Sequence, residues 1–220
     1  MTTRSYNQFC ALASALDHVG ERWTLLIVRE LLIGPRRFKD LIEGLPCIST
    51  NLLSERLKDL EQEGILRQRV LPPPAGSTVY ELTPLGQSLE KPIVELGRWG
   101  AQLLPTSLEG IALPSLGSIA VALKAFFHPE AARNIDETYG LHLGQETLQV
   151  RIREGEIKVQ QGESLKSDVD FYTNMQVFLG LFTGQLKPDE AIERDLIRVE
   201  ADPSALRRFL SYCYVPSSLN

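Results

Sequence analysis

Hydrophobic positions along the first hundred residues recur with helical spacing, interrupted once by a strand-like stretch. Leu12, Ala15, Leu16 and Val19 fall on one side of a helix predicted from Gln8 to His18 and ended by Gly20. Trp23, Leu26, Ile27 and Leu31 give a wide apolar face to a helix over Arg22–Ile33, closed by Gly34-Pro35. Phe38, Leu41 and Ile42 mark a short helix over Arg37–Glu43, with Gly44 expected in the left-handed conformation that stops it. Leu45 to Ile48 make a turn in which Pro46 cannot continue a helix. Ser49 is an N-cap, because its hydroxyl can accept an orphan backbone N–H. The next helix runs to Glu63 with Leu52, Leu53, Leu57 and Leu60 inward, and Gly64 stops it. Ile65–Leu71 and Ser77–Leu82 read as two strands around a stiff tip of Pro72, Pro73, Pro74, Ala75 and Gly76. Thr83-Pro84 then opens a long helix toward Leu104, bent at Pro92. Its stripe of Leu85, Leu89, Ile93, Leu96, Trp99 and Leu103 is a packing seam that calls for a partner helix.

Helix, turn, helix, strand, proline-glycine tip and strand is the order of a winged helix-turn-helix. The outer flank of the helix behind Ser49 carries Thr50, Asn51, Ser54, Glu55 and Lys58. Amides and hydroxyls in a first helical turn suit base edges in the major groove of double-stranded DNA. Arg36, Arg37, Lys39, Arg67 and Arg69 are the cations placed to meet phosphates, which give affinity without sequence information. The seam either docks on its own domain or pairs with a second copy; the second gives a homodimer, whose two reading helices would lie roughly 34 Å apart on a pseudo-palindromic operator.

The second half changes period. Residues 105–114 hold Pro105, Pro114 and Gly110 and read as a linker. Ser115–Phe127 is helical, with Ile119, Ala120, Leu123, Phe126 and Phe127 on one side. Glu137–Leu143, Thr147–Arg153 and Glu156–Gln161 alternate as strands with turn-like separators, which predicts an antiparallel meander, and Val169 and Phe171 hint at a fourth strand. Thr173–Phe182 and Pro188–Glu193 are helical, Leu196–Glu200 is a strand, and Asp202-Pro203 caps a last helix through Tyr212. The fold class is α+β, with residues 1–104, the linker 105–114 and residues 115–220 as its parts.

Charge narrows where nucleic acid could bind. The 220 residues carry a net charge of −5, yet residues 1–104 hold 12 basic and 12 acidic side chains. The deficit lies entirely after residue 104, so phosphate contacts belong to the first half. No apolar run approaches the roughly 18–20 residues of a membrane span, and no signal-peptide pattern is present. Three widely separated cysteines fit a reducing cytoplasm better than a disulfide scaffold. His18, His128 and His142 are scattered and, with Cys10, Cys47 and Cys213, form no metal-ligand spacing. No phosphate loop or nucleophile motif is present, so neither a cofactor nor enzyme activity is expected. Cys10, in the first turn of its expected helix, is the one reactive candidate; the competing reading is a small buried apolar residue.

Residues 8–104 resemble the HxlR-type regulators, a branch of the MarR-like winged-helix proteins. The resemblance rests on Cys10, ALDHVGERWTLLIVRELLIGPRRFKDL, ISTNLLSERLKDLEQEGIL and VYELTPLGQSLEKPIVELGRWG. It implies a cytoplasmic homodimer that controls transcription, and in some such proteins a cysteine at the place of Cys10 senses oxidants or electrophiles. Cys47, where a glycine is expected before Ile48-Ser49, and the long wing tip depart from the pattern. The second half resembles the sterol-carrier-protein-like fold through LGQETLQVRIREGEIKVQQG and VDFYTNMQVFLGLFTGQLKPDEAIERDLIRVEADPSALRRFLS. That resemblance implies an apolar tunnel for a hydrophobic small molecule, here lined by Phe126, Phe127, Phe171, Met175, Phe178, Leu179, Phe182 and Phe209. The same residues would also fill an ordinary core. Three readings follow: a ligand-controlled DNA-binding regulator, a redox regulator switched at Cys10, and a small-molecule carrier whose winged domain only dimerises.

Overall fold

The computed structural model describes residues 5–73, 76–105, 110–162, 166–200 and 202–214. Two compact units, Met1–Ile93 and Val94–Asn220, divide the chain. The first contains helices α1 (Ala11–Val19), α2 (Thr24–Leu31), α3 (Phe38–Gly44) and α4 (Thr50–Gln62), the strands β1 (Leu66–Val70) and β2 (Thr78–Leu82), and α5 (Pro84–Gln87). Helix α6 (Glu90–Gly100) crosses the division between the units.

Burial follows the periodicity through most of α2, α3 and α4, with Leu26 exposed, but not in α1, where Leu12, Ala15 and Leu16 are exposed and only Val19 of the expected core face is enclosed. Ile27, Val28 and Leu31 of α2, Leu41 of α3, and Leu53, Leu57 and Leu60 of α4 are almost wholly enclosed. Ser49 caps α4 as expected, its hydroxyl accepting from the Leu52 N–H at 3.3 Å. Strands β1 and β2 pair antiparallel with Arg67 opposite Glu81 and Leu66 opposite Leu82. The backbone of Arg36 adds a bridge to Tyr80 on the far edge of β2, with N–H to O distances of 2.9 and 2.7 Å. The expected wing tip is described at Pro72, Pro73 and Gly76, while Pro74 and Ala75 lie outside the described residues.

Three local expectations change. Gly44 does not take the left-handed conformation; it remains the last residue of α3, and a side chain there would sit 2.8 Å from the Glu30 carboxylate. The left-handed step falls instead on Cys47, at φ +74°. The long helix from Thr83 is two helices, separated at Ser88-Leu89. Thr83 caps α5 and also donates to the Gly64 carbonyl at 2.6 Å, and Gly86 lies so close to the Ile65 carbonyl that no Cβ would fit. Pro92 then occupies the first turn of α6, where a missing N–H leaves no helical bond unmade, so it marks a restart and not a bend.

In the second unit, α7 (Leu116–Ala125) is capped by Ser115 and precedes a five-stranded sheet. Its strands are β3 (Asp136–Leu143), β4 (Glu146–Arg153), β5 (Glu156–Gln161), β6 (Val169–Thr173) and β7 (Arg198–Glu200), in the order β5-β4-β3-β6-β7. The meander β3-β4-β5 is antiparallel as expected, whereas β6 runs parallel to β3, with Tyr139 beside Val169 and Leu143 beside Thr173. Thr173 belongs to β6 and Asn174 caps α8 (Met175–Phe182), so that helix starts two residues later than the apolar pattern suggests. Helices α9 (Pro188–Glu193) and α10 (Ser204–Tyr212) complete the unit. Tyr139, Leu141, Val150, Ile152 and Phe171 turn one face of the sheet into a core closed by Phe178 and Phe209.

A side chain at φ +74° is strained by about 1 kcal/mol relative to glycine, and glycine loses part of that through its freer unfolded chain. Cys47→Gly is therefore expected to raise the unfolding free energy by roughly 0.5 kcal/mol in denaturant titration. A loss of stability would mean that the exposed thiol side chain makes contacts that outweigh the strain.

Candidate nucleic-acid interface

The inward packing of Leu53, Leu57 and Leu60 turns the opposite flank of α4 outward. Ser49, Thr50, Asn51, Ser54, Glu55 and Lys58 are all exposed, as a reading surface requires. Arg37 and Lys39 are exposed at the start of α3, with Lys39 lying 3.5 Å from Glu43. Arg36 is not presented with them. It is 5% exposed, and its guanidinium points to the Glu30 carbonyl at 3.5 Å, because the bridge to Tyr80 directs its side chain into the unit. Arg36 therefore leaves the group of phosphate-facing cations.

Two positioning features had no sequence signature. Arg56, half-buried between reading positions, donates to Asp59 at 2.8 Å, to Glu55 at 3.3 Å and to Glu21 at 3.3 Å. It ties the exposed flank of α4 to the segment before α2. Glu61, near the C-terminal end of α4, accepts from the Gln68 backbone and side-chain amides, both at 3.2 Å. That pair fixes β1, and with it the wing, against the reading helix. The signal that could have found Glu61 is its place one turn before Gly64, but it names no partner.

On the wing, Arg67 and Arg69 are exposed and share the carboxylate of Glu81. Arg67 Nε donates to Oε1 at 2.8 Å and Arg69 Nε to Oε2 at 2.7 Å. Partial burial works to raise the Glu81 pKa, but the hydrogen bonds and positive charge of Arg69 and Arg67 outweigh it and hold the carboxyl below its usual range.

The expected dimer seam is unevenly presented. Leu85, Leu96, Trp99 and Leu103 are exposed, Leu89 is half-buried, and Ile93 is buried. Phe9, Leu12 and Leu16, in and before α1, are also exposed. Cys10 sits immediately before α1, where its carbonyl accepts from Ser14 at 2.9 Å, and its side chain is exposed. The reading of Cys10 as a small buried residue is thereby set aside. Cys47 is exposed too, while Cys213 is enclosed, and burial pushes its thiol up to about 12.

The aromatic positions expected to line a tunnel fall into two groups. Phe171 and Phe209 lie 5.6 Å apart, and both meet Tyr139, at 5.9 and 4.8 Å. Phe126 meets Phe182 edge-on at 6.3 Å, and Phe182 stacks on Phe178 at the same separation. Met175, Leu179 and Phe127 are half-buried. The Tyr139 hydroxyl donates to Glu137, which is also bound by Arg208 of α10 at 3.0 Å. Burial, then that bond, drives the Tyr139 pKa well above the usual phenol range.

This geometry has relatives. Residues 18–107 match the model of the HxlR-like helix-turn-helix family, and residues 122–211 match that of the SCP-2 sterol transfer family. The HTH-type transcriptional regulator YodB of Bacillus subtilis is 40% identical over 97 residues, which are 44% of this chain and 87% of YodB. The chain belongs to the HxlR-like helix-turn-helix family. It is a transcriptional regulator of the HxlR/MarR type, carrying an SCP-2-type domain after its DNA-binding helix-turn-helix. Solved structures of YodB, one of the reduced form and one quinone-bound, are 38% identical. They cover 46% and 41% of this chain and 99% and 96% of YodB, with TM-scores of 0.40 and 0.36. Among the described residues no helix is long and apolar enough to cross a membrane, and no group of three or more His, Cys, Asp or Glu could hold a metal ion.

The thiols separate by accessibility. Because only the thiolate is alkylated, Cys10 and Cys47 are expected to react with iodoacetamide at pH 8 in the folded protein and Cys213 only after denaturation. Mass spectrometry counting three modified cysteines without denaturant would show that the core around Cys213 opens freely.

Proposed function

We propose that this regulator binds a pseudo-palindromic operator as a homodimer and answers to a hydrophobic small molecule held in its C-terminal domain. Thr50, Asn51, Ser54 and Lys58 read base edges, with Ser49 and Glu55 beside them, and Arg37, Lys39, Arg67 and Arg69 meet phosphates. In this reading residues 1–104 bind DNA and dimerise, residues 105–114 link, and residues 115–220 bind the effector among Phe171, Phe178, Phe182, Phe209 and their neighbours. The observation that carries it is the flank of α4. Its hydrogen-bonding side chains stand in solvent while three leucines on the opposite side anchor the helix. Support for the dimer comes from Leu85, Leu96, Trp99 and Leu103, large apolar side chains left in water by a single chain.

A second reading keeps the same DNA contacts but places the signal at Cys10. It is favoured by the exposure of that thiol and by the 40% identity to YodB, a protein whose structure has been solved with quinone bound.

Operator DNA selected from a random pool separates these readings. Asn51→Ala should weaken operator binding by about 1–3 kcal/mol without changing its salt dependence, whereas Lys39→Ala should make the salt dependence shallower. Trp99→Glu should shift the protein to a monomer in sedimentation and reduce operator affinity. Release from DNA by fatty acids or aromatic polyketides supports the effector reading. Release by quinone that survives in Cys10→Ser removes the redox one.

A further inference from the structure

The wing carries its two exposed arginines at alternate positions of β1, on the same face of the ribbon as Glu81. Arg67 lies directly opposite Glu81, and Arg69 lies opposite Val79, two pairs further along. Alternate strand positions are about 7 Å apart. At that spacing a single carboxylate can reach both guanidinium groups only from between them. The structure shows that arrangement: Oε1 takes Arg67, with Nη2 at 2.7 Å as well as Nε at 2.8 Å, and Oε2 takes Arg69 at 2.7 Å. The Glu81 side chain is 15% exposed, while those of Arg67 and Arg69 are 66% and 43% exposed. The carboxylate is therefore tucked in beneath two cations whose remaining N–H groups face solvent.

We propose that Glu81 is a positioning residue for DNA. It aligns Arg67 and Arg69 as one phosphate-facing pair and lowers by one unit the charge that this face offers to any duplex. The inference rests on the reading that the wing arginines meet phosphate. Arg69 meets Glu81 through Nε and keeps its two terminal nitrogens for a phosphate, while Arg67, held through Nε and Nη2, keeps Nη1, so alignment by Glu81 leaves donors on both side chains. The same carboxylate lowers the charge of this face from two to one, which weakens the sequence-independent attraction of any duplex. Glu81 thus trades bulk affinity for a fixed geometry that only a correctly docked operator exploits.

The test uses the full-length protein and a short fluorescent duplex of random sequence, with binding followed by anisotropy between roughly 50 and 200 mM salt. Glu81→Gln keeps the shape but removes the charge. It should tighten binding by about two- to five-fold at the lowest salt and steepen the log K against log salt slope by about 0.9 per bound chain. Glu81→Asp keeps the charge and should retain the wild-type slope. The double variant Glu81→Gln/Arg69→Gln restores the original charge and should return the slope to its wild-type value, which guards against a folding effect of the single change. If Arg67→Ala and Arg69→Ala make the slope shallower while Glu81→Gln leaves it unchanged, the role of Glu81 is overturned and the phosphate reading stands. If Glu81→Gln, Arg67→Ala and Arg69→Ala all leave the slope unchanged, the wing does not meet phosphate and both fall.

Discussion

Leu53, Leu57 and Leu60 hold α4 in the one rotation that exposes its hydrogen-bonding side chains. Each fully buried leucine contributes on the order of 2 kcal/mol, so turning the helix to hide Asn51 and Ser54 would forfeit several times that amount. The rest of the first unit is arranged around keeping this helix in place. Ser49 satisfies a donor at its start, and Glu61 grips Gln68 at its end. Cys47 accepts a strained backbone so that the chain can turn between α3 and α4 within a few residues. A rigid reading helix needs no ordering when it meets DNA, and the conformational cost of binding shrinks accordingly.

Charge is handled differently from the overall surplus often met in nucleic-acid binders. The first 104 residues are neutral, and several cations lie close to carboxylates: the exposed Lys39 to Glu43, the exposed Arg67 and Arg69 to Glu81, and the half-buried Arg56 to Asp59, Glu55 and Glu21. Exposed pairs of this kind contribute about 0–1 kcal/mol each, so a phosphate can take over one partner at small cost. In the proposed reading the matching would keep the attraction for random duplex low and leave discrimination to the α4 flank. A neutral composition is thus compatible with sequence-specific binding, and it explains why bulk charge said so little about this chain.

Much of this was legible in the residues. The cap at Ser49, the inward leucines, the two wing strands and the β3-β4-β5 meander follow from local chemistry and periodicity, which act over a few residues. The features that escaped depend on partners distant in sequence. Arg36 and Arg37 are adjacent cations, and only the backbone pairing of Arg36 with Tyr80 buries one and exposes the other. Pro92 interrupts an apolar stripe that continues on both sides, and the stripe concealed that the helix ends and restarts. Strand β6 has the alternation of any strand; its parallel pairing with β3 is fixed by the fold and not by its own residues. Gly44 looked like a stop signal, yet its small size serves the approach of Glu30.

The second unit poses the question of how an effector could be felt at all. A ligand shifts an equilibrium only if it binds two states unequally. In this unit the ring of Tyr139 packs against both Phe171 and Phe209, which also meet each other, while its hydroxyl is bonded to Glu137, the carboxylate that also holds Arg208 of α10. Buried aromatic residues with a polar tip combine apolar packing with a specific bond. A hydrophobic molecule that entered among these three rings would press on Tyr139, whose hydroxyl shares the Glu137 carboxylate with the Arg208 bond that ties β3 to α10. The polar latch would then fail together with the apolar packing, because both run through one side chain. In the proposed reading, that shared dependence would let an apolar ligand be registered as a movement of a helix, where a core of aliphatic side chains would simply repack around it.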